Sequence, residues 1–118
     1  MQYYSLSHQY KVSFKEAVFQ GISPDKSLYF PENIPLPPSS FWNNLENLTN
    51  EEIGFQLLSP FIGDEIHETI LKEIIRKTLS FEFPLIQIKE NVFSLELFHG
   101  PTLAFKDVGA RFMSECLS

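Results

Sequence analysis

The sequence predicts a mixed α+β fold, a small sheet with about five helices, and three observations carry that expectation. Apolar residues recur at helical spacing through Ile66, Ile70, Leu71, Ile74, Ile75 and Leu79. After Pro84 the period drops to two: Ile86 and Ile88 alternate with polar neighbours, as do Phe93, Leu95 and Leu97. Two capping boxes, Ser13 with Glu16 and Thr49 with Glu52, mark helix starts, because each pair satisfies two orphan backbone donors.

Taken in order, Ser13 opens a helix whose apolar stripe is Phe14, Ala17 and Val18, and Gly21 supplies a left-handed stop. Leu28-Tyr29-Phe30 reads as a short strand before Pro31. The segment from Pro31 to Ser40 carries four prolines and is an extended connector. Ser39 or Ser40 caps a short helix bearing Phe41, Trp42 and Leu45. Thr49 starts a helix that runs through Leu58 and is closed off by Pro60.

Asp64 caps the strongest helix of the chain, with Glu68–Lys72 and Glu73–Lys77 as acid-before-base pairs on its wet side. The alternating runs on either side of Glu90-Asn91 form a hairpin. His99-Gly100-Pro101-Thr102 breaks the strand, and a last helix runs from about Leu103, with Phe105, Val108, Phe112 and Cys116 along one face. No stop signal stands at Ser118, so the sequence is expected to be truncated.

Composition narrows the function. A chain of 118 residues suits one independent core, and 43% apolar residues with twelve Phe suffice to bury one. The net charge is −6 and no Lys/Arg cluster interrupts it, so nucleic acid is not an expected partner. The first residues lack a secretory signal, and no run approaches the roughly 20 apolar residues that span a bilayer. Cys116 is the lone cysteine; it permits no intramolecular disulfide, and no zinc spacing is present, so no metal is expected. Asn47-Leu48-Thr49 matches a glycosylation sequon by chance in a chain without a signal peptide. The expected setting is soluble, reducing and cytoplasmic, with no membrane contact.

Chemistry concentrates between Glu96 and Phe112. Read physically, the segment is strand, tight turn and helix start, with Lys106 in the helix's first turn among Leu103, Ala104 and Phe105. Loss of hydration and the positive end of the helix dipole both disfavour an ammonium there. A neutral amine is the nucleophile that condenses with an aldehyde to a Schiff base. The bland alternative is a solvated lysine beside Asp107, which stabilises its charge. Thr102 offers a hydroxyl to a cofactor or substrate, or else caps the helix or closes a turn. His99 orients the turn or approaches the site. Asp107 and Arg111 stand at i,i+4 as a surface pair. Gly109 permits close packing of helix on sheet. His8 and His67 read as surface or cap-adjacent residues, and Cys116 as a core thiol.

The run LFHGPTLAFKDVGARFM resembles the cofactor-lysine segment of the threonine synthases, fold-type II pyridoxal-phosphate enzymes. MQYYSLSHQ and VSFKEAVFQGISPDKSLYFPENIP are similar to that family's N-terminal domain, in order and spacing. Where the family often has a glycine-rich stretch, this chain has Ser23 to Tyr29, a departure confined to a loop. The likeness covers almost all of the chain, at the front of a family whose members are several times longer.

The resemblance implies residues 1–82 as an N-terminal domain and 83–118 as the first strand–helix step of a pyridoxal-phosphate-binding catalytic domain. It implies Lys106 as the cofactor-holding lysine and general acid–base, with pyridoxal 5'-phosphate as cofactor. The implied reaction converts O-phospho-L-homoserine and water to L-threonine and phosphate, a carbon–oxygen lyase step ending threonine biosynthesis. The remainder of the catalytic domain is then the partner of this piece, and the piece alone is expected to be inactive. The alternatives are a non-catalytic relative, a sister enzyme for another phosphorylated amino acid, or a free-standing interaction domain whose last helix docks a partner chain.

Overall fold

The computed structural model describes all residues from Met1 to Ser118. It is a mixed α+β structure whose element order is β1 (Tyr3–Ser5), β2 (Lys11–Val12), α1 (Phe14–Gln20), β3 (Tyr29–Pro31), α2 (Ser39–Asn43), α3 (Asn50–Ile62), α4 (Glu68–Thr78), β4 (Leu85–Lys89), β5 (Val92–Leu95) and α5 (Asp107–Leu117). The five helices and small sheets meet the sequence expectation for fold class.

β1 and β2, too short to show a period, are additions to the sequence reading. They form an antiparallel sheet of order β2-β1-β3, with Tyr3 facing Val12 on one side and Pro31 on the other. β3 lies one residue later than expected and takes in Pro31; an edge strand tolerates a proline, because an outward-facing position needs no N–H.

Both capping boxes form. Ser13 Oγ accepts from Glu16 N at 3.2 Å while Glu16 accepts from Ser13 N at 2.8 Å. Thr49 and Glu52 repeat the exchange at 3.2 and 2.8 Å. The next donors of α1 are satisfied from afar: Phe14 N and Lys15 N donate to the Glu65 carboxylate at 3.0 and 2.9 Å. Gly21 ends α1 with φ 68, as expected of its freedom at positive φ.

Several boundaries differ from expectation, each for a traceable reason. α2 starts at Ser39 with no side-chain cap, because its N-cap is Pro38, which has no side-chain acceptor, and both serines fall inside the helix. Leu45 falls outside α2, in a separate 3-10 turn over Leu45–Asn47. Pro60 lies inside α3, which continues to Ile62. Burial of Ile62 in the core and the Tyr3 hydroxyl donating to the Phe61 carbonyl at 2.7 Å hold that last turn despite the missing N–H. Burial, helped by Glu65, pushes the Tyr3 phenol up to about 12.

Asp64 does not cap α4. It sits in a 3-10 turn over Gly63–Glu65, whose Glu65 is drawn away to α1, and the His67 ring accepts from Thr69 N at 3.3 Å as the cap.

The core centres on α4. Ile62, Leu71 and Ile75 form its buried cluster, with Phe14, Phe55, Leu58, Ile66, Leu79 and Phe112 packed around it. A Cβ at Gly54 of α3 would lie 2.8 Å from Ile75 Cγ2, so glycine lets α3 and α4 approach there. Ile70 departs from the expected stripe and is 58% exposed, because the buried positions of α4 are Leu71, Ile74, Ile75 and Thr78. Glu68 and Lys72 pair at 2.5 Å as expected. Glu73 pairs instead with Arg76 at 2.6 Å, since Lys77 turns to Glu115 of α5 at 2.8 Å.

The hairpin forms with Leu85 opposite Leu95 and a bulge between Gln87 and Lys89. Asn91 takes φ 59, the left-handed conformation a tight connection needs. Leu97 lies beyond β5, where Glu96 N bonds the Pro84 carbonyl and ends the ladder. Apolar residues on both faces of the hairpin, among them Ile86, Ile88, Phe93 and Leu95, are exposed. The radius of gyration, 16.3 Å, exceeds the roughly 13.5 Å of a compact domain of this length. The chain therefore buries fewer of its apolar residues than composition alone suggests, and five hydrophobic side chains make up its fully buried core.

Candidate active site

Lys106 stands at the N-cap of α5, not within its first turn, because the helix begins at Asp107 rather than near Leu103. Leu103 takes φ 57, which breaks any helical path before Lys106. Residues 100–106 instead form consecutive turns: Leu103 N bonds the Gly100 carbonyl at 3.1 Å, and Asp107 N bonds the Ala104 carbonyl at 3.0 Å. Lys106 is exposed, and so are Leu103 and Phe105, at 75% and 66%. The apolar neighbours expected to strip water from the amine thus lie open, and Phe105 is not on the buried face of α5. The Lys106 Nζ sits 6.0 Å from the centroid of the Phe105 ring.

Thr102 and Lys106 are brought into one turn, but Thr102 does not cap the helix. It donates rather than accepts. Its backbone N–H reaches Asp107 Oδ2 at 2.9 Å, and its hydroxyl donates to Asp107 Oδ1. Asp107 is 4% exposed, so its carboxylate is buried against the turn rather than lying on the helix surface. The Thr102 hydroxyl, more than any other group, holds that carboxyl below its usual range.

Gly100 explains the close approach: an added Cβ would fall 2.4 Å from Asp107 Oδ2. The sequence reading takes Gly100 only as part of a strand break and Asp107 as a surface partner of Arg111 or of the lysine, and it misses their contact. An acid one residue past the lysine, in the first turn of a helix, was the signal available.

Other residues have structural work. His99 Nε2 lies 2.6 Å from Glu96 Oε2, and its ring stacks on Phe98 at 4.8 Å, so it orients the approach to the turn. Arg111 does not pair with Asp107. Its Nη2 donates to the Lys77 carbonyl at 2.7 Å and to Ser80 Oγ at 3.1 Å, fastening α5 to the end of α4. Gly109 faces open space, with nothing within 4 Å of an added Cβ, so it does not serve helix packing within this chain. Cys116 is half-buried, and burial raises its thiol, which disfavours the reactive thiolate. No cluster of three or more potential metal-ligating side chains exists, and no helix is long and apolar enough to cross a membrane.

The carboxylates carry a pH dependence. Asp25 is bonded by the Ser27 and Ser7 hydroxyls and Asp107 by Thr102, and both are held below the ordinary carboxyl range. Groups depressed in the folded state contribute stability that is fully present above their unfolded pKa, about 4, and is lost as pH falls through the folded values. The thermal midpoint is therefore expected to drop between pH 7 and pH 3 at constant ionic strength. A midpoint unchanged across that interval contradicts the bonds assigned here.

Comparison with known proteins adds an independent line. Residues 2–79 match the family model described as Threonine synthase N terminus. The chain is 41% identical over its whole length to threonine synthase of Escherichia coli strain K12 and 40% identical to that of Haemophilus influenzae. It spans 28% of the length of each of those relatives. The crystal structure of the E. coli enzyme superposes with a TM-score of 0.93 at 42% identity, over 99% of this chain and 28% of that one. The pyridoxal-phosphate-bound threonine synthase of Brucella melitensis gives 0.91 at 33% identity, over 98% of this chain and 26% of that one. With two-thirds of its residues inside the family's N-terminal model, and the same fold over nearly its full length, this chain belongs to the threonine synthase family.

Proposed function

We propose that this chain is the front part of a pyridoxal-phosphate enzyme that converts O-phospho-L-homoserine and water to L-threonine and phosphate. Lys106 holds the cofactor and moves protons during turnover. The observation that carries this reading is a primary amine presented in the open at the N-cap of a helix, on a turn closed by its own hydrogen bonds, in a chain of this family. The residues present fit pyridoxal phosphate at its aldehyde end, since a lysine amine is the group that condenses with an aldehyde. When bound, that cofactor stores the electron pair released as carbon–hydrogen bonds of the substrate lose protons. What this chain adds is the amine, the turn that presents it and the helix behind it.

Residues 1–82 form an N-terminal domain in this reading, and 83–118 begin the catalytic domain. The apolar hairpin of Leu85–Leu95, open on both faces, supports the assignment: covered sheets in α/β enzymes are apolar on both sides. The remaining catalytic domain is its partner, and the enzyme works in the cytoplasm. The 118 residues alone are inactive, because cofactor orientation depends on contacts from the rest of the site. The test is borohydride reduction of the full-length protein followed by peptide mapping, alongside phosphate release from the isolated chain. A pyridoxyl adduct on Lys106 and an inert isolated chain are expected; an adduct elsewhere, or turnover by the isolated chain, overturns the reading.

A further inference from the structure

The geometry points to Asp107 as a positioning residue that sets where the Lys106 amine is presented, by locking the Gly100–Lys106 turn; this rests on the role of Lys106 proposed above. The turn contains no regular element, and Leu103 lies at positive φ, so local propensity does not hold it. Two backbone bonds, Leu103 N to the Gly100 carbonyl and Asp107 N to the Ala104 carbonyl, close its turns, and one carboxylate ties the far end back to the helix. Asp107 reaches back five residues to take the backbone N–H of Thr102 at 2.9 Å and the Thr102 hydroxyl, using both of its oxygens. Gly100 leaves the space these oxygens occupy, and the carboxylate is almost fully buried.

Asp107 is also the first residue of α5, and Arg111 fastens that helix to the end of α4 at 2.7 and 3.1 Å. Lys77 and Glu115 add a second tie between the two helices at 2.8 Å. The lysine backbone is therefore held on one side by a helix docked on the core and on the other by a turn tied to that helix's first residue. Flexibility between those anchors would spread the amine over many positions and lower its effective concentration at the cofactor aldehyde.

An ionised acceptor makes the strongest bonds at this place. Both Asp107 oxygens meet donors; an amide keeps the bond from Thr102 N, but its NH2 forces the Thr102 hydroxyl to turn from donor to acceptor, and both bonds lose their charged acceptor. Hydrogen bonds to a charged acceptor contribute about 1.5–3 kcal/mol, which corresponds to roughly tenfold to hundredfold in an equilibrium.

The experiment uses the full-length protein stripped of cofactor and titrated with pyridoxal phosphate. It reads the dissociation constant by absorbance, the circular dichroism of the bound chromophore, and the site of the borohydride-stable adduct. Asp107→Asn is expected to weaken cofactor binding at least about tenfold and to change the chromophore's dichroic band, with Lys106 still the adduct site. Thr102→Val moves both readings in the same direction by less, and Thr102→Ser stays within about twofold of the parent because it keeps the hydroxyl.

Parent-like affinity and dichroism in both Asp107→Asn and Thr102→Val overturn the proposal. If Asp107→Asn fails to fold, Thr102→Val decides by the same criterion. An adduct away from Lys106 in the unsubstituted protein sinks the underlying assignment as well, and it is seen before any variant is made.

Discussion

Replacing Lys106 with alanine in the full-length protein is expected to reduce phosphate release from O-phospho-L-homoserine by a factor on the order of 10³ or more, while leaving thermal stability almost unchanged. Removal of proton transfer by a positioned side chain alone costs about 10²–10⁴-fold. Loss of the covalent attachment adds to this, and residues that act as a unit do not combine additively. Stability is spared because the side chain is exposed and its one aromatic neighbour is exposed too, so the change falls within about 0.5 kcal/mol.

Lys106→Arg serves as the control for charge. A guanidinium keeps the positive charge but does not give up its proton in proteins, so it does not supply the neutral amine. Both variants are expected to fail in catalysis and in borohydride attachment. Substantial turnover by either one removes Lys106 from the chemistry.

Leu71→Ala is expected to be strongly destabilising, at about 2–5 kcal/mol. Leu71 is 2% exposed and belongs to the three-residue cluster on which α1, α3 and α5 all lean through Phe14, Phe55, Leu58 and Phe112. With so few buried hydrophobic residues the structure has little capacity to close the cavity. The loss is a large share of the roughly 5–15 kcal/mol that holds a typical domain together.

Ile70→Ala is the informative partner, since Ile70 is adjacent in sequence, equally apolar and 58% exposed. It is expected to change stability by no more than about 0.5 kcal/mol. Urea unfolding of both variants in the full-length protein reads the difference. Equal losses contradict the burial assigned to α4. A large loss for Ile70→Ala alone means that this face of α4 is covered in the full-length protein.

The contrast between these two residues shows where sequence reasoning succeeds and where it stops. The 3.6-residue period through Ile66 to Leu79 correctly announced α4 and its buried side, yet Ile70 sits at the margin of the stripe. Only the placement of α3 and α5 assigns it to water. Ion pairs behave alike. Glu68–Lys72 is local and formed as expected, whereas Lys77 had two acids in reach once the fold was made and took Glu115, 38 residues away.

Pro60 ended a helix on propensity, but burial of Ile62 two residues later carried α3 past it. At the site, Lys106 was legible from the resemblance of its segment to one family. Its surroundings were not: a helix running from Leu103 is the natural reading of the pattern, and the contact between Thr102 and a buried Asp107 is what replaces it with turns.

By itself the sequence determined the mixed fold class, both capping boxes and the hairpin. Each rests on residues a few positions apart, whose interaction is settled by backbone geometry before the chain folds. Tertiary structure alone decided that Glu65 caps a helix fifty residues earlier, that Arg111 ties α5 to α4, and that Asp107 is buried against Gly100. Such contacts join groups that meet only after packing has removed their competing partners, and no spacing along the chain encodes which partner remains.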